Sequence, residues 1–260
     1  METILNYYNA YDEDNRLVKD KAHEIEFITT VHFLDKFINK TSKVLEVGAG
    51  TGRYSFHFAE KACEVTALDI TPRHVDIMKE KAAGKTLKLN PLLGNALDMK
   101  KIENNSFDAV LCLGPLYHLT GEEQRKQCIR ESLRVLKPGG VLAIAYINRA
   151  ATFVNYIHRN AQNINNAGLW NIAKTGLEFN NEEDCFYYST YAEMEALMDS
   201  FNVNKIDNIA SDGVVGTLRD IINKFTDEEF NKWMEFHLMT CNDSSLMGYS
   251  QHGLYLCRKA

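Results

Sequence analysis

Three glycines and one aspartate have the types and the spacing that cofactor chemistry requires. Gly48, Gly50 and Gly52 occupy alternate positions directly after a short apolar run of Val44, Leu45 and Val47. Glycine lacks a Cβ and tolerates positive φ, so a turn of this kind lets the backbone approach a ligand closely. Asp69 ends the next apolar run, 21 residues after Gly48, and a carboxylate at a strand tip can accept both hydroxyl groups of a ribose. The pattern predicts a site for a nucleoside-type cofactor.

The residues around these glycines predict a strand, a tight turn and a helix. Val44, Leu45 and Val47 form a short apolar, β-rich run, and residues 54–61 fit a helix whose N-terminus presents unpaired N–H groups to a ligand. A dinucleotide-binding fingerprint has a small residue three positions after its second glycine, where this sequence has Arg53. The turn therefore departs from that fingerprint.

Further segments follow the glycine turn in a consistent order. They are the run 44–52, Asp69, residues 94–99, residues 106–110 and residues 133–140. These segments resemble successive motifs of the class I S-adenosylmethionine-dependent methyltransferases, and above all the ubiquinone/menaquinone-methyltransferase-like group of small-molecule enzymes. The resemblance covers roughly residues 40–148 and leaves out both ends of the chain. It implies an α/β fold with a doubly wound, mostly parallel, seven-stranded sheet of Rossmann-like type, whose last strand is antiparallel.

The resemblance also implies a cofactor and the residues that bind it. The cofactor would be S-adenosylmethionine, with S-adenosylhomocysteine as its product. Asp69 would bind the ribose, Asn95 and Ala96 the adenine, and Gly114 the methionine amino group. The family commonly has Asp at the position of Asn95, whose amide keeps a carbonyl acceptor. The full set of expected cofactor contacts is Glu46, Gly48, Ala49, Gly50, Gly52, Asp69, Ile70, Asn95, Ala96, Leu113 and Gly114.

Apolar periodicity and capping residues predict the remaining elements. A helix over residues 17–39 leads into the first strand, and later strands are expected at 87–93, 107–113, 141–147, 203–210 and 253–258, with a turn at 137–140. Three Thr-x-x-Glu capping boxes predict helix N-termini: Thr120 with Glu123, Thr190 with Glu193, and Thr226 with Glu229. Thr71 and Pro72 predict another helix start, with the helix ending near Gly84.

Two long insertions predict lids over the site. We expect an N-terminal helical segment over the cofactor site at residues 1–39, a methyltransferase domain at 40–260, and lid insertions at 148–189 and 211–252. Both insertions leave the sheet at its ligand face and exceed the usual connection of ~2–6 residues. The second contains an apolar stripe of Phe230, Trp233, Met234, His237 and Leu238. The stripe either roofs a substrate pocket or packs the lid against the rest of the fold.

Candidate catalytic and substrate-binding residues follow from the chemistry of methyl transfer. A sulfonium is already an activated methyl donor, so the protein must mainly align the acceptor and exclude water. Some acceptors also need a general base. The candidate bases are His118, then His252 and His237, and the candidate substrate contacts are Tyr7, Tyr11, Tyr117, Arg149 and Trp233. For each of these residues ordinary packing is the alternative interpretation.

Composition argues against several classes of partner. The chain of 260 residues is 25% charged and 45% apolar with a net charge of −6, which disfavours a nucleic-acid partner. It lacks a basic and apolar leader and any apolar run long enough to span a membrane, so we expect no membrane association. Its six cysteines form no Cys-x-x-Cys pair, which favours buried free thiols in the cytoplasm. No zinc-binding spacing occurs, so we expect no metal.

Three functions are compatible with these patterns. The leading hypothesis is an enzyme that moves a methyl group from S-adenosylmethionine to a small-molecule acceptor by in-line displacement, acting as a monomer or homodimer. The alternatives are a protein or RNA methyltransferase, and a non-catalytic protein that binds S-adenosylmethionine. The glycines and Asp69 indicate cofactor binding and do not by themselves indicate turnover.

Overall fold

The computed structural model describes residues 7–8, 11 and 13–260. Over these residues the strands are β1 (Lys43–Val47), β2 (Glu64–Asp69), β3 (Leu89–Leu93), β4 (Phe107–Cys112), β5 (Leu136–Asn148), β6 (Tyr188–Ser189), β7 (Val203–Ala210) and β8 (His252–Lys259). The α-helices are α1 (Lys21–Leu34), α2 (Arg53–Glu60), α3 (Pro72–Ala82), α4 (Glu122–Val135), α5 (Arg149–Arg159), α6 (Ala167–Thr175), α7 (Tyr191–Asp199), α8 (Val215–Ile222) and α9 (Asp227–Thr240).

The strands form a single mixed sheet in the order β3-β2-β1-β4-β5-β8-β7. Strands β3 to β5 run parallel, and β8 is antiparallel to both of its neighbours. This confirms the predicted doubly wound sheet with an antiparallel last strand. The two-residue β6 pairs with the end of β5 and adds an eighth strand that the sequence did not predict. Because the strand order reverses between β1 and β4, the crevice at their carboxyl ends is the expected ligand site.

The central strands are buried on both faces, which fixes the positions of their ends. Val44, Leu45 and Val47 of β1 have no exposed surface, and neither do Val110 and Leu111 of β4. Helices cover both faces of such a sheet, so its strands are almost continuously apolar. Each fully buried Val or Leu side chain contributes about 1.5–3 kcal/mol. The residues that follow these strands therefore sit on a rigid platform.

Two of the three predicted capping boxes are confirmed and the third is wrong. Thr190 with Glu193 caps α7, and Thr226 with Glu229 caps α9. The box of Thr120 and Glu123 does not form, because Gly121 is the N-cap of α4. The Gly121 N–H donates to Gln124 Oε1 at 3.3 Å, which replaces the expected contact one position further along the chain.

The predicted turn at residues 137–140 is instead part of β5, which begins at Leu136. The pairing of β4 with β5 shifts register between Phe107 and Ala109, so the four residues enter the sheet as an irregular segment. Gly139, with φ of +75°, provides the local bend.

The apolar stripe on α9 packs against the N-terminal helix. Phe230 and Met234 form a buried cluster with Ala22 and Ile25 of α1 and with two residues of α8. Of the two interpretations of the stripe, packing within the fold is the one that the structure shows.

The described cysteines are unpaired thiols. Five are buried and Cys185 is partly buried. Over the described residues, no helix combines the length and the apolar character that crossing a lipid bilayer requires.

Candidate active site

The expected cofactor residues meet at the carboxyl ends of the parallel strands. They line a cavity, here called the cofactor cavity, with an empty volume of about 1000 Å³ including its part open to solvent. All the expected residues except Gly52 line it: Glu46, Gly48, Ala49, Gly50, Asp69, Ile70, Asn95, Ala96, Leu113 and Gly114. Short segments at the carboxyl ends of β1, β2, β3 and β4 supply these residues, so the expected contacts all lie at the same end of the parallel strands.

The glycine turn needs glycine for two reasons. Gly48 has φ of +73°, and a Cβ there would lie 2.6 Å from the Pro115 ring. The Gly48 and Ala49 N–H groups both donate to the carbonyl of Leu68, at 2.8 and 2.9 Å, which ties the turn to β2. A side chain at position 48 would therefore both strain the backbone and displace the segment after β4.

Gly52 has a different role from the one expected. It is the N-cap of α2 with φ of +89°, and its N–H donates to the Ala49 carbonyl at 2.9 Å. A Cβ at this position would lie 3.0 Å from the Met78 side chain. Gly52 thus turns the chain into α2 and does not line the cavity, which corrects its assignment as a cofactor contact.

Asp69 holds the glycine turn in place from the neighbouring strand. Its Oδ2 accepts from the Gly50 N–H at 2.7 Å, and its Oδ1 accepts from the Thr71 N–H at 2.8 Å. The His74 Nδ1 lies 3.3 Å from Oδ1. A carboxylate offers about four lone-pair sites, so Asp69 keeps acceptor capacity for the ribose hydroxyls that its position predicts.

Glu46 is a buried carboxyl at the floor of the cavity. It accepts a short hydrogen bond from the Ser55 hydroxyl. Burial raises the pKa of Glu46 to about 8, and this effect outweighs the Ser55 hydrogen bonds that lower it. No lysine or arginine of the described chain forms an ion pair with Glu46. A cationic group in the cavity would favour the ionised form.

Asn95 lies at the exit of β3 and lines the cavity. Its Oδ1 accepts from the Leu97 N–H at 2.9 Å. That bond fixes the orientation of the side-chain amide and leaves the second lone pair of Oδ1 for a donor such as an adenine amino group.

A second cavity adjoins the first. This acceptor cavity has an empty volume of about 1130 Å³ including its solvent-open part. Both cavities are lined by Tyr8, Glu13, Arg16 and Tyr117. The rest of its lining comes from Tyr7 and Tyr11, from α1, from Ile147 of β5, from both insertions and from the start of β8. A molecule in one cavity would therefore lie next to a molecule in the other.

Aromatic rings from separate segments form one wall of the acceptor cavity. The Tyr7 ring is stacked on Tyr11 with centroids 5.3 Å apart and meets Phe186 edge-on, also at 5.3 Å. Tyr117 is stacked against Phe186 at 6.3 Å. The structure thus places Tyr7, Tyr11 and Tyr117 together at this cavity, where they were expected to contact substrate.

His118 is engaged by two partners. Its Nδ1 lies 2.8 Å from the Cys185 carbonyl, so Nδ1 carries the proton and donates it. Its Nε2 accepts from the Tyr8 hydroxyl at 2.7 Å. Burial lowers the pKa of His118 to about 4. The ring is therefore neutral near pH 7, and its Nε2 holds the hydroxyl of Tyr8, which lines both cavities.

His252 stands beside two carboxylates at the acceptor cavity. Its Nδ1 lies 2.8 Å from Asp212 Oδ2 and 3.4 Å from Glu26 Oε2. Asp212 also accepts from the Ser250 hydroxyl at 2.6 Å. Burial by itself lowers the pKa of His252, but Glu26 and Asp212 outweigh it and raise the pKa above the ordinary 6.5. The bond to Asp212 fixes the proton on Nδ1 and leaves Nε2 as the basic nitrogen.

Three candidates line neither cavity. His237 is buried with its Nε2 2.9 Å from the Thr29 hydroxyl. Arg149 is buried; its Nε donates to the Tyr188 carbonyl at 3.0 Å and its guanidinium pairs with Glu193. Trp233 lies between Phe225 and Phe236, with centroids 6.1 and 5.8 Å away. Each helps to hold an insertion in place, so the structure does not support their assignment to catalysis or substrate binding.

Several lining residues were missed by the sequence interpretation. Tyr8 lies beside the expected Tyr7, but nothing in the pattern separated the two residues. Asp212 is 40 positions from His252 in the chain, and the antiparallel pairing of β7 with β8 brings them together. Arg16 reaches the site through Glu13 and Glu26, with both contacts at 3.0 Å. The contact of Asp212 with His252 depends on the pairing of segments far apart in sequence, which no local pattern reveals.

The glycine turn, the strand-tip Asp69 and the switch-point cavity define a Rossmann-like nucleoside-cofactor site. Residues 44–140 match the methyltransferase domain family. This segment is similar to the class I S-adenosylmethionine-dependent methyltransferases, the group that its motifs resemble.

Curated relatives match less than half of the chain. A ubiquinone biosynthesis O-methyltransferase of Xanthomonas oryzae pv. oryzae is 32% identical over 108 residues, which are 42% of this chain and 44% of that protein. A methyltransferase-like protein of Schizosaccharomyces pombe is 33% identical over 120 residues, covering 45% of this chain and 43% of its own length. The chain thus spans less than half the length of these curated relatives.

Solved structures resemble the whole chain at low sequence identity. A Pyrococcus horikoshii protein has a TM-score of 0.63 and 18% identity, with 98% of this chain and 99% of that chain covered. A methyltransferase of Streptomyces caelestis has a TM-score of 0.58 and 18% identity, with 99% and 96% covered. At this identity the likeness shows the fold alone.

Proposed function

We propose that the protein transfers a methyl group from S-adenosylmethionine to a small-molecule acceptor held in the acceptor cavity. The observation that carries the proposal is the pair of adjoining cavities with a shared lining of Tyr8, Glu13, Arg16 and Tyr117. A methyltransferase needs its two reactants side by side and shielded from water. The name of the Xanthomonas relative, an O-methyltransferase of ubiquinone biosynthesis, supports a small acceptor.

The cofactor cavity fits the proposed cofactor on features of this chain. The Gly48 turn is a cradle that a Cβ would fill. Asp69 keeps acceptor capacity for a ribose, and Glu46 is a buried carboxyl without a cationic partner among the described residues. When bound, S-adenosylmethionine supplies an activated methyl group on a sulfonium. The residues after β1 would hold its methionine part, Asp69 its ribose, and Asn95 with Ala96 its adenine.

The acceptor side has a group that can take a proton. We assign His252 as the general base, with Nε2 as the accepting nitrogen and Asp212 as the residue that fixes the tautomer. Its raised pKa makes it a stronger base than an ordinary histidine. Tyr8, held by His118 at the junction, would position the acceptor. The two insertions and the aromatic wall would exclude water from the acceptor and from the methyl group of the cofactor.

The first test is calorimetric titration with S-adenosylmethionine and with S-adenosylhomocysteine. We expect micromolar binding of both. A screen of small acceptors for S-adenosylhomocysteine formation then tests turnover, and we expect formation that depends on the acceptor. If neither S-adenosylmethionine nor S-adenosylhomocysteine binds, the proposed cofactor is wrong and the proposal is overturned. Binding without turnover of any small acceptor, together with methylation of a protein or RNA substrate or of none, would overturn the assigned acceptor class.

A further inference from the structure

The charges around the acceptor cavity are unevenly paired. The lining includes three carboxylates, those of Glu13, Glu26 and Asp212. Glu13 and Glu26 both pair with Arg16 at 3.0 Å. Asp212 pairs with His252 at 2.8 Å. Each acidic group of the lining therefore already has a basic partner.

Two arginines of the same lining have no acidic ion-pair partner among the described residues. Over the described residues, no carboxylate lies within ion-pair distance of Arg159 or Arg219. Arg219 Nη1 instead donates to His23 Nε2 at 2.6 Å. The opposite nitrogen of that ring, Nδ1, lies 2.7 Å from Asp20 Oδ1. Arg219 Nη1 also lies 3.1 Å from Nδ1. Asp20 and Arg219 therefore both contact the His23 ring, and no carboxylate of the described residues pairs directly with the guanidinium.

The fold brings these two arginines to the cavity from different insertions. Helices α5 and α8 pack closely, since a Cβ on Gly216 would lie 2.1 Å from the Asn155 side chain. Arg159 comes four residues after Asn155, and Arg219 comes three residues after Gly216. Residues at these spacings share a helix face. Each arginine therefore lies on the face through which its helix contacts the other.

We propose that the acceptor carries a carboxylate, which Arg219 and Arg159 bind, attached to an aromatic body that packs on Tyr7, Tyr11 and Phe186. The inference rests on the proposed function, because it describes the molecule in the acceptor cavity. A guanidinium presents donors in a planar fork that matches a carboxylate, and such charge-assisted bonds exceed neutral ones in strength. A carboxylate bound by one arginine from each insertion would also hold the two insertions together.

The test compares carboxylates with their neutral isosteres. The probes are benzoate, phenylacetate and 3-phenylpropanoate, each paired with its primary amide, and each is titrated into protein saturated with S-adenosylhomocysteine. For at least one pair we expect the carboxylate to bind about tenfold or more tightly than the amide. The variants R219Q and R159Q should each lose most of this preference. R219K, which keeps the charge and loses the fork, should retain part of it.

The control is K224Q, which removes a positive charge from an exposed position of the same insertion outside the cavity lining. This variant should keep the wild-type preference. Affinity for S-adenosylhomocysteine is measured on every variant, and an unchanged value shows that the variant is folded. The same measurement separates failure of the carboxylate proposal from failure of the proposed function. With that affinity intact, equal binding of carboxylate and amide, binding of neither, or an unchanged preference in both R219Q and R159Q would overturn the inference. If the wild-type protein does not bind S-adenosylhomocysteine, the proposed function is overturned instead.

Discussion

The two cavities differ in how the chain builds them. The expected cofactor contacts come from short contiguous segments at the ends of neighbouring parallel strands, with the N-terminal segment adding Tyr8, Glu13 and Arg16, and the turn at residues 48–50 is held through its backbone groups. The acceptor cavity is made by side chains from the N-terminal segment, α1, both insertions and β8, most of which lie far apart in sequence. A site built at the carboxyl ends of neighbouring strands can be predicted from short local patterns in the sequence. A site built from remote segments depends on tertiary packing.

They also differ in how their charges are balanced. In the cofactor cavity, Glu46 and Asp69 accept hydrogen bonds from hydroxyl, N–H and imidazole groups. In the acceptor cavity, Arg16 and His252 each contact two carboxylates. The cofactor cavity therefore favours a ligand with positive charge. In the acceptor cavity, the acidic side chains are already paired with basic side chains of the protein. Substitutions in the two cavities should accordingly affect different measured quantities.

The largest effect is expected from His252→Gln in the acceptor cavity. General-base catalysis contributes about 10²–10⁴ in rate, so kcat should fall about 100-fold while affinity for S-adenosylhomocysteine stays within about twofold. The base acts when deprotonated, and the pKa of His252 is raised above 6.5. The rate of the wild type should therefore rise with pH, with a midpoint above that value, and the variant should lose this rise.

His158→Gln is the matched control, because His158 is exposed on the first insertion and lines neither cavity. It should leave kcat and the pH profile unchanged. An unaltered pH profile in His252→Gln would remove the base assignment and the functional contrast between the cavities.

A smaller effect, on cofactor affinity and not on kcat, is expected from Asp69→Ala in the cofactor cavity. The variant loses both a ribose acceptor and the bond that holds the Gly50 N–H at 2.7 Å. Affinity for S-adenosylhomocysteine should fall about tenfold or more, since a charge-assisted bond usually exceeds the 1.4 kcal/mol that this requires. Asp98→Ala, at an exposed position after β3, should change it little. Equal affinity in wild type and Asp69→Ala would refute the ribose assignment.

The sequence predicted the part of the molecule in which local pattern decides structure. The glycine turn, the Asp69 tip and the capping box of Thr190 with Glu193 each depend on residues a few positions apart, or on two adjacent strands. The box predicted at Thr120 was wrong because Gly121 and Gln124 satisfy the same helix end one residue later. Two neighbouring candidates for one cap differ too little for the sequence to separate them.

The acceptor side could not be predicted in the same way. His237 and His252 were equal candidates, since each is a histidine on the expected face of the fold. Packing buries His237 against Thr29, and strand pairing sets His252 beside Asp212. The apolar stripe with Trp233 was likewise ambiguous, because a helix that roofs a pocket and one that packs on another helix have the same period. Only the position of α1 decides between them.

The smallest and most specific effect is expected from Glu46→Gln, which tests the charge balance of the cofactor cavity. The pKa of Glu46 is raised from 4.5 to about 8 in the folded protein. The stability linked to its protonated form is therefore fully present below pH 4.5 and is lost as the pH rises through about 8. The glutamine variant should match the wild type in Tm at pH 5 and exceed it by about 3 °C or more at pH 9. Glu60→Gln, at an exposed position of α2, is the control and should show no such divergence.

The same carboxyl should also couple cofactor binding to proton release. A cationic ligand beside Glu46 favours its ionised form, so binding of S-adenosylmethionine at pH 7 should release up to one proton, seen as a binding enthalpy that depends on the ionisation enthalpy of the buffer. Glu46→Gln should abolish that dependence. If the wild type releases no proton, Glu46 stays protonated beside the bound cofactor, and the cofactor cavity would resemble the acceptor cavity in having its acidic groups settled before any ligand binds.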